Sequence, residues 1–543
     1  MEPVLKLNRF RGFLIFFLLN SNGFANNDRP NILLIVADDL GYTDLGSFGS
    51  EIPTPTLDML AFEGIRLTNF HTGRACQQTR AMLMSGRGFS SVIQRNPARS
   101  DGERAHQLRL DVATLPELLR DAGYRTYMAG KWDLGLSNEA APVARGFDRS
   151  FALLEASSSH FREYFWDDKS YYQEDSRSLA LEELPPDFYS THAYTDKMLD
   201  YLKAHDESEP WFGYVAYTAP HWPLQVPDEW LDRHGGQYDA GYDVLREQRV
   251  NRAMTVGVVP DGANLDNFKP IALPWASLSP DLKKRYARSQ EIYASMIELM
   301  DQQVSRLTNY LEVSGQLDNT VIFFMSDNGA SAEQIGIEVG PTSMPPEFAH
   351  FNLLVADRDN SFANIGRKGS FVDHGRGFGE AVTAPLRYFK STFAEGGIRT
   401  AAFIYYPAIL SGPTINSTFI TVMDILPSFL DIANAAHPGP GNYNGREVQS
   451  IVGRSFWPHL KGKQSTVHGD QHAAGWSKGS IGAIIKGKYK LTNQPEPGTN
   501  ISEEDLNWRL YDLEDDPGEI DDIAPENADV VRLLLNEWEQ NWL

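Results

Sequence analysis

The chain of 543 residues contains one cysteine, Cys76. A lone cysteine cannot close an internal disulfide, so no disulfide framework organises this fold. Cys76 is then a buried apolar residue, an intermolecular link, or a residue kept for its chemistry. Positive charge is also scarce. Lys and Arg number 49 against 72 Asp and Glu, a net charge of −23. Such a chain repels nucleic acid and anionic membranes, and neither is expected as a partner. An anionic substrate needs a local basic cluster to overcome that field. Internal repeats are absent, and Gly and Pro occur at ordinary levels, which excludes collagen-like and low-complexity architectures. No run of about 20 apolar residues, the length of a membrane span, occurs anywhere.

What is present suits a large globular protein. Hydrophobic residues make up 42% and aromatics 11%, enough to bury a sizeable core and exclude wholesale disorder. The N-terminus has the layout of an export leader. Lys6, Arg9 and Arg11 precede the short apolar stretch Gly12 to Leu19, and Gly23-Phe24-Ala25 offers a small-x-small cleavage site. A buried N-terminal helix is the alternative. Residues 1–25 are thus expected to be a signal peptide, and the mature protein periplasmic or secreted.

Four apolar runs end abruptly in polar residues. Asn31 to Ala37 precedes Asp38-Asp39, and Tyr124 to Gly130 precedes Lys131. Trp211 to Tyr217 precedes His221, and Thr320 to Met325 precedes Ser326-Asp327-Asn328. Short β-branched and aromatic runs read as buried strands. Helical stretches, Thr114 to Asp121 and Ser279 to Val313, lie between them. The pattern predicts an α/β fold, a large mostly parallel sheet flanked by helices. Ligands in such sheets sit beyond the carboxyl ends of the strands, where these runs deliver Asp, Lys, His and Asp-Asn. His234 to Pro274 has weak periodicity and reads as an insertion or long loop. A turn-rich linker begins at His437. Strand-like pieces at Ile481–Ile485 and Tyr489–Thr492 and a helix from Ala528 to Leu543 follow. The expected division is 26–437 for a catalytic α/β domain and 438–543 for a small α+β domain.

Asp38, Asp39, Asp327 and Asn328 are hard oxygen donors. They suit Ca²⁺, and after it Mg²⁺, better than zinc. Read singly, Asp-Asp and Asp-Asn-Gly are turn or cap signals; at one sheet edge together they favour a metal. A helix is expected to begin near Cys76, and a helix N-terminus lowers a thiol pKa. Arg80, one turn on, could hold an anion through two parallel hydrogen bonds. The segment by itself fits equally a packed cysteine and a solvated arginine.

These segments carry a family resemblance. Asn31 to Gly41, Cys76 to Gly86, Gly130-Lys131-Trp132-Asp133-Leu134-Gly135, Pro220-His221-Trp222-Pro223, Ser326-Asp327-Asn328-Gly329 and Lys390 to Arg399 occur in the order found in type I sulfatases, of the alkaline-phosphatase-like superfamily. Leu510-Tyr511-Asp512-Leu513 to Asp516-Pro517 resembles that family's C-terminal signature. The resemblance implies hydrolysis of a small-molecule or carbohydrate sulfate ester. It implies that a maturation enzyme oxidises Cys76 to formylglycine, whose hydrated aldehyde attacks sulfur, and that sulfate leaves as the aldehyde re-forms. It further implies Ca²⁺ on Asp38, Asp39, Asp327, Asn328 and the modified Cys76. Arg80 supports the nucleophile, Lys131 and Lys390 grip sulfate, and His221 protonates the leaving oxygen.

Two positions depart from the family pattern. Gln78 stands where Pro or Ala is usual, in the region a maturation enzyme reads. Asp133 stands where histidine is usual. Nearby cations are expected to keep Asp133 ionised, a weak base that repels sulfate. His160 is a second candidate for the same pocket, and a structural or surface role is the favoured expectation for it. Trp132, Tyr164, Trp166 and Trp222 are aromatic candidates for stacking on a substrate ring. The alternatives to a sulfatase are a phosphoester or phosphonate hydrolase on the same scaffold, and a degenerate sulfatase that binds without turnover.

Overall fold

The computed structural model describes residues 29–95, 106–260, 269–337, 354–410, 414–469, 471–499 and 501–542. The expected leader, residues 1–25, lies outside them. Ten strands form the central sheet: Asn31–Asp38 (β1), Ile65–Leu67 (β2), Arg125–Lys131 (β3), Arg149–Leu153 (β4), Tyr172–Glu174 (β5), Arg177–Ser178 (β6), Trp211–Pro220 (β7), Thr320–Ser326 (β8), Ala402–Tyr405 (β9) and Thr414–Asn416 (β10). Their order is β10-β2-β9-β8-β1-β7-β3-β4-β5-β6. The five middle strands β8, β1, β7, β3 and β4 run parallel, with antiparallel strands towards the edges. The sheet is therefore large, mixed and mostly parallel, as the apolar runs imply.

Every residue of β1 is buried. Alternation of side chains explains why. Leu33, Ile35 and Ala37 enter one core, with helices Ser190–Lys203 and Pro280–Val313 packed on it. Ile32, Leu34 and Val36 enter the other, under Cys76–Ser85 (α1), Leu115–Asp121 and Ile425–Ile432. The long helix starts at Pro280 because Ser279 caps it, accepting from Leu282 N at 3.2 Å. Gly130 is obligatory in β3: it sits at φ 124°, and a Cβ there would meet Ala216 O at 1.9 Å.

The stretch 234–274 is not simply a loop. Among its described residues Tyr242–Thr255 is a helix with Tyr242, Leu245, Arg249 and Ala253 buried. Their spacing is helical, but an arginine and an alanine occupy two of the four inward positions, which mutes the hydrophobic signal. Near the C-terminus Ala473–Lys478 (β11), Ile481–Lys486 (β12), Tyr489–Thr492 (β13) and Arg509–Asp512 (β14) form an antiparallel sheet in that order. One face packs on helix Ala528–Asn541 through Ile484, Leu491, Leu534 and Trp538. The other packs on Phe393 and Ile398 of the large unit through Trp476, Ala483 and Ile485. No described helix is long and apolar enough to cross a membrane.

Candidate active site

The carboxyl ends of β1, β3, β7 and β8 meet the start of α1. Asp38 closes β1, and Asp39 follows at φ 65°, a left-handed turn that aspartate tolerates better than most residues. Lys131 closes β3, His221 follows β7, and Asp327-Asn328 follow β8. Cys76 is the first residue of α1, preceded by Ala75, which offers no side-chain cap. The positive end of the helix is thus turned towards the strand ends. Asp38, Asp39, Cys76 and His221 each present a ligand atom, all within 4.8 Å of one another.

Cys76 Sγ lies 3.2 Å from Asp38 Oδ1 and 3.8 Å from Asp39 Oδ1. The opposite oxygens of both carboxylates are held by lysines. Lys131 Nζ donates to Asp38 Oδ2 at 2.7 Å, and Lys390 Nζ to Asp39 Oδ2 at 2.8 Å. Arg80 donates through Nε and Nη2 to Asp327 Oδ2, at 3.1 and 2.8 Å, and through Nη1 to Lys131 O at 3.0 Å. Asp327 Oδ1 accepts from Asp39 N at 3.2 Å, and Asn328 Nδ2 donates to Asp39 Oδ1 at 2.6 Å. All ten residues assigned from the sequence, ligands and basic groups alike, fall in this one neighbourhood, except that the carboxylate of Asp327 is taken up by Arg80 and the Asp39 amide rather than joining the four converging ligand atoms.

The donor set fits a hard cation. Three carboxylates and an amide cluster here, and Asn328 Oδ1 is buried with no hydrogen-bond partner. Burial would raise the Asp38 carboxyl, but Lys131, His221, Arg80 and Lys390 together hold it well below the usual range. Burial is the largest single effect on Lys131 and Lys390 and lowers both, but their acidic neighbours, Asp38 first for Lys131 and Asp39 first for Lys390, together outweigh it, so both stay charged. Asp327 is pushed up to about 6 by burial and by Asp38.

Two expectations about charge are overturned. The helix start does not lower the Cys76 thiol. Burial, then Asp327 and Asp38, push it well above its ordinary value, so the unmodified residue is a protonated, unreactive thiol. Asp133 is not held ionised by its cationic neighbours. It is 7% exposed, and burial pushes it up to about 7 against the pull of Lys131 and Arg80. Desolvation wins because no hydrogen bond from a described residue reaches its carboxylate. Asp133 sits at φ 55°, and its carbonyl accepts from Gln77 Nε2 at 3.2 Å, which ties it to α1.

His221 is neutral in the free site: burial, then Lys390, lower it to about 4. Its Nδ1–H donates to Trp222 O at 2.6 Å, leaving Nε2 facing Asp39 Oδ2 at 3.5 Å. His160 is buried, not at the surface. It donates from Nε2 to His221 O at 3.0 Å and accepts at Nδ1 from Ser190 Oγ at 2.8 Å, so it fixes the turn that carries His221. Trp132 is fully buried in the core and cannot stack on a substrate. Trp222 packs against His221 with centroids 4.3 Å apart, and Trp166 meets Trp222 edge-on at 6.5 Å. Tyr164 is exposed and donates to Glu182.

Sequence reasoning missed the groups beneath the site. Tyr293 OH donates towards Asp44 Oδ2 at 2.5 Å and lies 3.2 Å from Asp39 O, and Arg249 Nη1 donates to Asp44 Oδ1 at 2.5 Å. Arg249 and Asp44 are fully buried. An arginine in a polar helix and a tyrosine in a long amphipathic one carry no sequence signal for such a role.

Known proteins resemble this chain along most of its length. A family model described as Sulfatase matches residues 30–435. An uncharacterized sulfatase of Schizosaccharomyces pombe is 38% identical over 547 residues, covering 95% of this chain and 94% of its own. An arylsulfatase of Klebsiella aerogenes is 37% identical over 423 residues, covering 75% of this chain and 88% of its own. Among solved structures, Ps i-CgsB in complex with k-i-k-neocarrahexaose matches with a TM-score of 0.64 at 22% identity, over 94% of this chain and 92% of its own. At that identity the likeness speaks for the fold.

Proposed function

The chain belongs to the type I sulfatase family and is a sulfuric ester hydrolase, and on that premise we propose that it works through a formylglycine made from Cys76 and a Ca²⁺ ion held by Asp38, Asp39, Asp327 and Asn328. The observation that carries this reading is the seat of Cys76. Its Sγ lies between two aspartates whose far oxygens are each held by a lysine. As a thiol raised by burial and carboxylates, Cys76 is a poor nucleophile, and only a change of its chemistry would make the seat useful. Formylglycine would supply a hydroxyl nucleophile, and Ca²⁺ would supply Lewis acidity towards a sulfate oxygen.

The chain's own residues do the rest. Lys131 and Lys390 bring two fixed positive charges to the place where a sulfate ester sits, and they solve locally the problem set by the net charge of −23. Arg80 orients Asp327 and the end of β3 through three of its hydrogen bonds. His221, neutral before substrate arrives, gains a proton more readily once an anion lies beside Nε2, and it then donates to the leaving oxygen. Asp133, protonated below about pH 7, admits the anion without repulsion, and ionised it takes a proton when sulfate is freed.

The substrate in this reading is a small-molecule or carbohydrate sulfate ester. The reading includes export by a leader at residues 1–25, a periplasmic or secreted destination, and a maturation enzyme that accepts Gln78. The test is made on natively exported protein. The peptide containing Cys76 should carry the aldehyde mass and react with hydrazide, and 4-nitrophenyl sulfate should turn over faster than 4-nitrophenyl phosphate. Free thiol alone in a protein that turns over the sulfate would sink the nucleophile assignment. Faster phosphate turnover would favour the phosphoester alternative.

A further inference from the structure

The turn that carries Lys390 is strained. Tyr388 lies at φ 60° and Ser391 at φ 72°, and neither is glycine. A bulky aromatic residue in the left-handed region persists only where its surroundings over-determine it. Within the large unit the turn is tied by Lys390 N donating to Ala330 O at 3.0 Å, Ser391 N to Arg74 O at 2.7 Å and Gly396 N to Arg387 O at 2.8 Å, by Arg74 Nη1 on Ser391 O, and by the packing of Tyr388 and Phe389 on Ala332 and Ala394. Further ties come from the C-terminal sheet and the segments that follow its strands. Arg387 Nη1 donates to Tyr511 OH at 2.9 Å and to Glu519 O at 3.1 Å. Phe393 N donates to Gln494 Oε1 at 2.9 Å, and Glu395 N to Glu519 Oε2 at 2.7 Å.

At the centre of these contacts is Lys490, a fully buried lysine of β13. Its Nζ lies 2.8 Å from Glu395 Oε1 and 2.9 Å from Glu519 Oε1. His71 Nε2 reaches the other oxygen of Glu395 at 3.0 Å, and Trp476 Nε1 of β11 donates to Thr72 O at 2.9 Å. The same sheet therefore touches both the segment that leads into Cys76 and the segment that follows Lys390.

We propose that the C-terminal sheet is a positioning element of the sulfate site: Lys490, with Glu519 and Tyr511, holds the strained Tyr388–Ser391 turn so that Lys390 faces Asp39. This rests on the reading of Lys390 as a sulfate-binding group. The physical reason is charge. Two buried carboxylates, Glu395 and Glu519, share the Lys490 ammonium, and Glu395 also meets His71 at 3.0 Å and Arg399 Nη1 at 3.6 Å. Without the ammonium the two carboxylates repel each other, the Glu395 N–H link to Glu519 opens, and the turn relaxes away from its left-handed conformation. Lys490, Glu519 and Tyr511 touch no reacting atom; they act through Lys390.

The experiment uses the full-length matured protein and the variants Lys490→Met, Lys490→Arg and Tyr511→Phe. It measures kcat and KM on 4-nitrophenyl sulfate, inorganic sulfate binding by calorimetry and as an inhibition constant, and melting by circular dichroism. Loss of a charge-assisted hydrogen bond in Lys490→Met should weaken sulfate binding about tenfold or more, with KM rising in step and kcat falling less. Lys490→Arg should restore most of the loss. Tyr511→Phe keeps the ion pairs and should weaken sulfate binding about two- to fivefold with little change in melting. A folded Lys490→Met with unchanged sulfate affinity and KM overturns the proposal, even if it melts earlier. Should that variant not fold, unchanged sulfate affinity in Tyr511→Phe overturns it. Wild-type protein that neither turns over the ester nor binds sulfate overturns the functional reading as well, whereas failure confined to the variants overturns the positioning role alone.

Discussion

Replacing Asp133 by histidine should raise turnover most at low pH and hardly at all near pH 8. Asp133 is enclosed, and burial pushes its carboxyl up to about 7 in spite of Lys131 and Arg80. Only the ionised form can take the proton when sulfate is freed. With such a pKa roughly a tenth of the protein is competent at pH 6 and about nine tenths at pH 8, so wild-type kcat should climb about tenfold over that interval if this step limits it. Histidine responds to the same surroundings in the opposite sense. Burial lowers both His221 and His160 to about 4. A histidine placed beside Lys131 in the same enclosure would be neutral, and available as a base, from pH 6 to pH 8. The Asp133→His variant should therefore show a nearly flat profile, about tenfold faster than wild type at pH 6 and level with it at pH 8. Steady-state turnover of 4-nitrophenyl sulfate reads this directly, and the pre-steady-state burst, which reports sulfate transfer, should change less. A variant slower than wild type at every pH, with its burst intact, would refute the reasoning and show a release step built around the carboxylate. A flat wild-type profile would show that Asp133 is not the base in the limiting step.

Asp133→Asn tests the same charge without turnover. The folded pKa of Asp133 lies above its ordinary 3.8, so its contribution to stability is present below about pH 4 and is lost as pH rises through about 7. The amide mimics the protonated form, and the variant should match wild type near pH 3, exceed it by about 1.6 kcal/mol at pH 5 and by at most about 4 kcal/mol at pH 8 in denaturant unfolding; a difference that does not grow with pH would contradict the burial argument. Arg249→Met should cost about 3–5 kcal/mol, because it leaves Asp44 buried without its cation. Through Tyr293 it should also weaken Ca²⁺ binding in calorimetry, and unchanged affinity would disconnect Asp44 from the Asp39 loop.

Much of the site was legible because strand ends in a parallel sheet are marked by abrupt changes of composition. The runs ending at Asp38, Lys131, His221 and Asp327 needed no knowledge of packing to be aligned. The short edge strands Tyr172–Glu174, Arg177–Ser178 and Thr414–Asn416 have too few residues to show an alternation. Lys490 reads as a solvated strand lysine, since nothing in its neighbours announces that Glu395, 95 positions away, will come to meet it. The ionisation of Cys76 and Asp133 was misread for one reason. Sequence shows which charges can be near, but not how much water is removed around them, and at both positions desolvation is the larger effect.

The contact between Asp39 and Asp327 spans 288 positions of sequence. Closing so long a loop is slow compared with forming a local helix, so α1 can be present while β8 has yet to dock. During that interval Cys76 is reachable. In the folded chain it is 6% exposed, enclosed by Asp38, Asp39 and His221 at the strand ends. On the proposed chemistry, topology therefore sets an order of events. On that chemistry, an enzyme that oxidises Cys76 would meet it most readily before β8 docks, and a chain that closed first would keep its thiol.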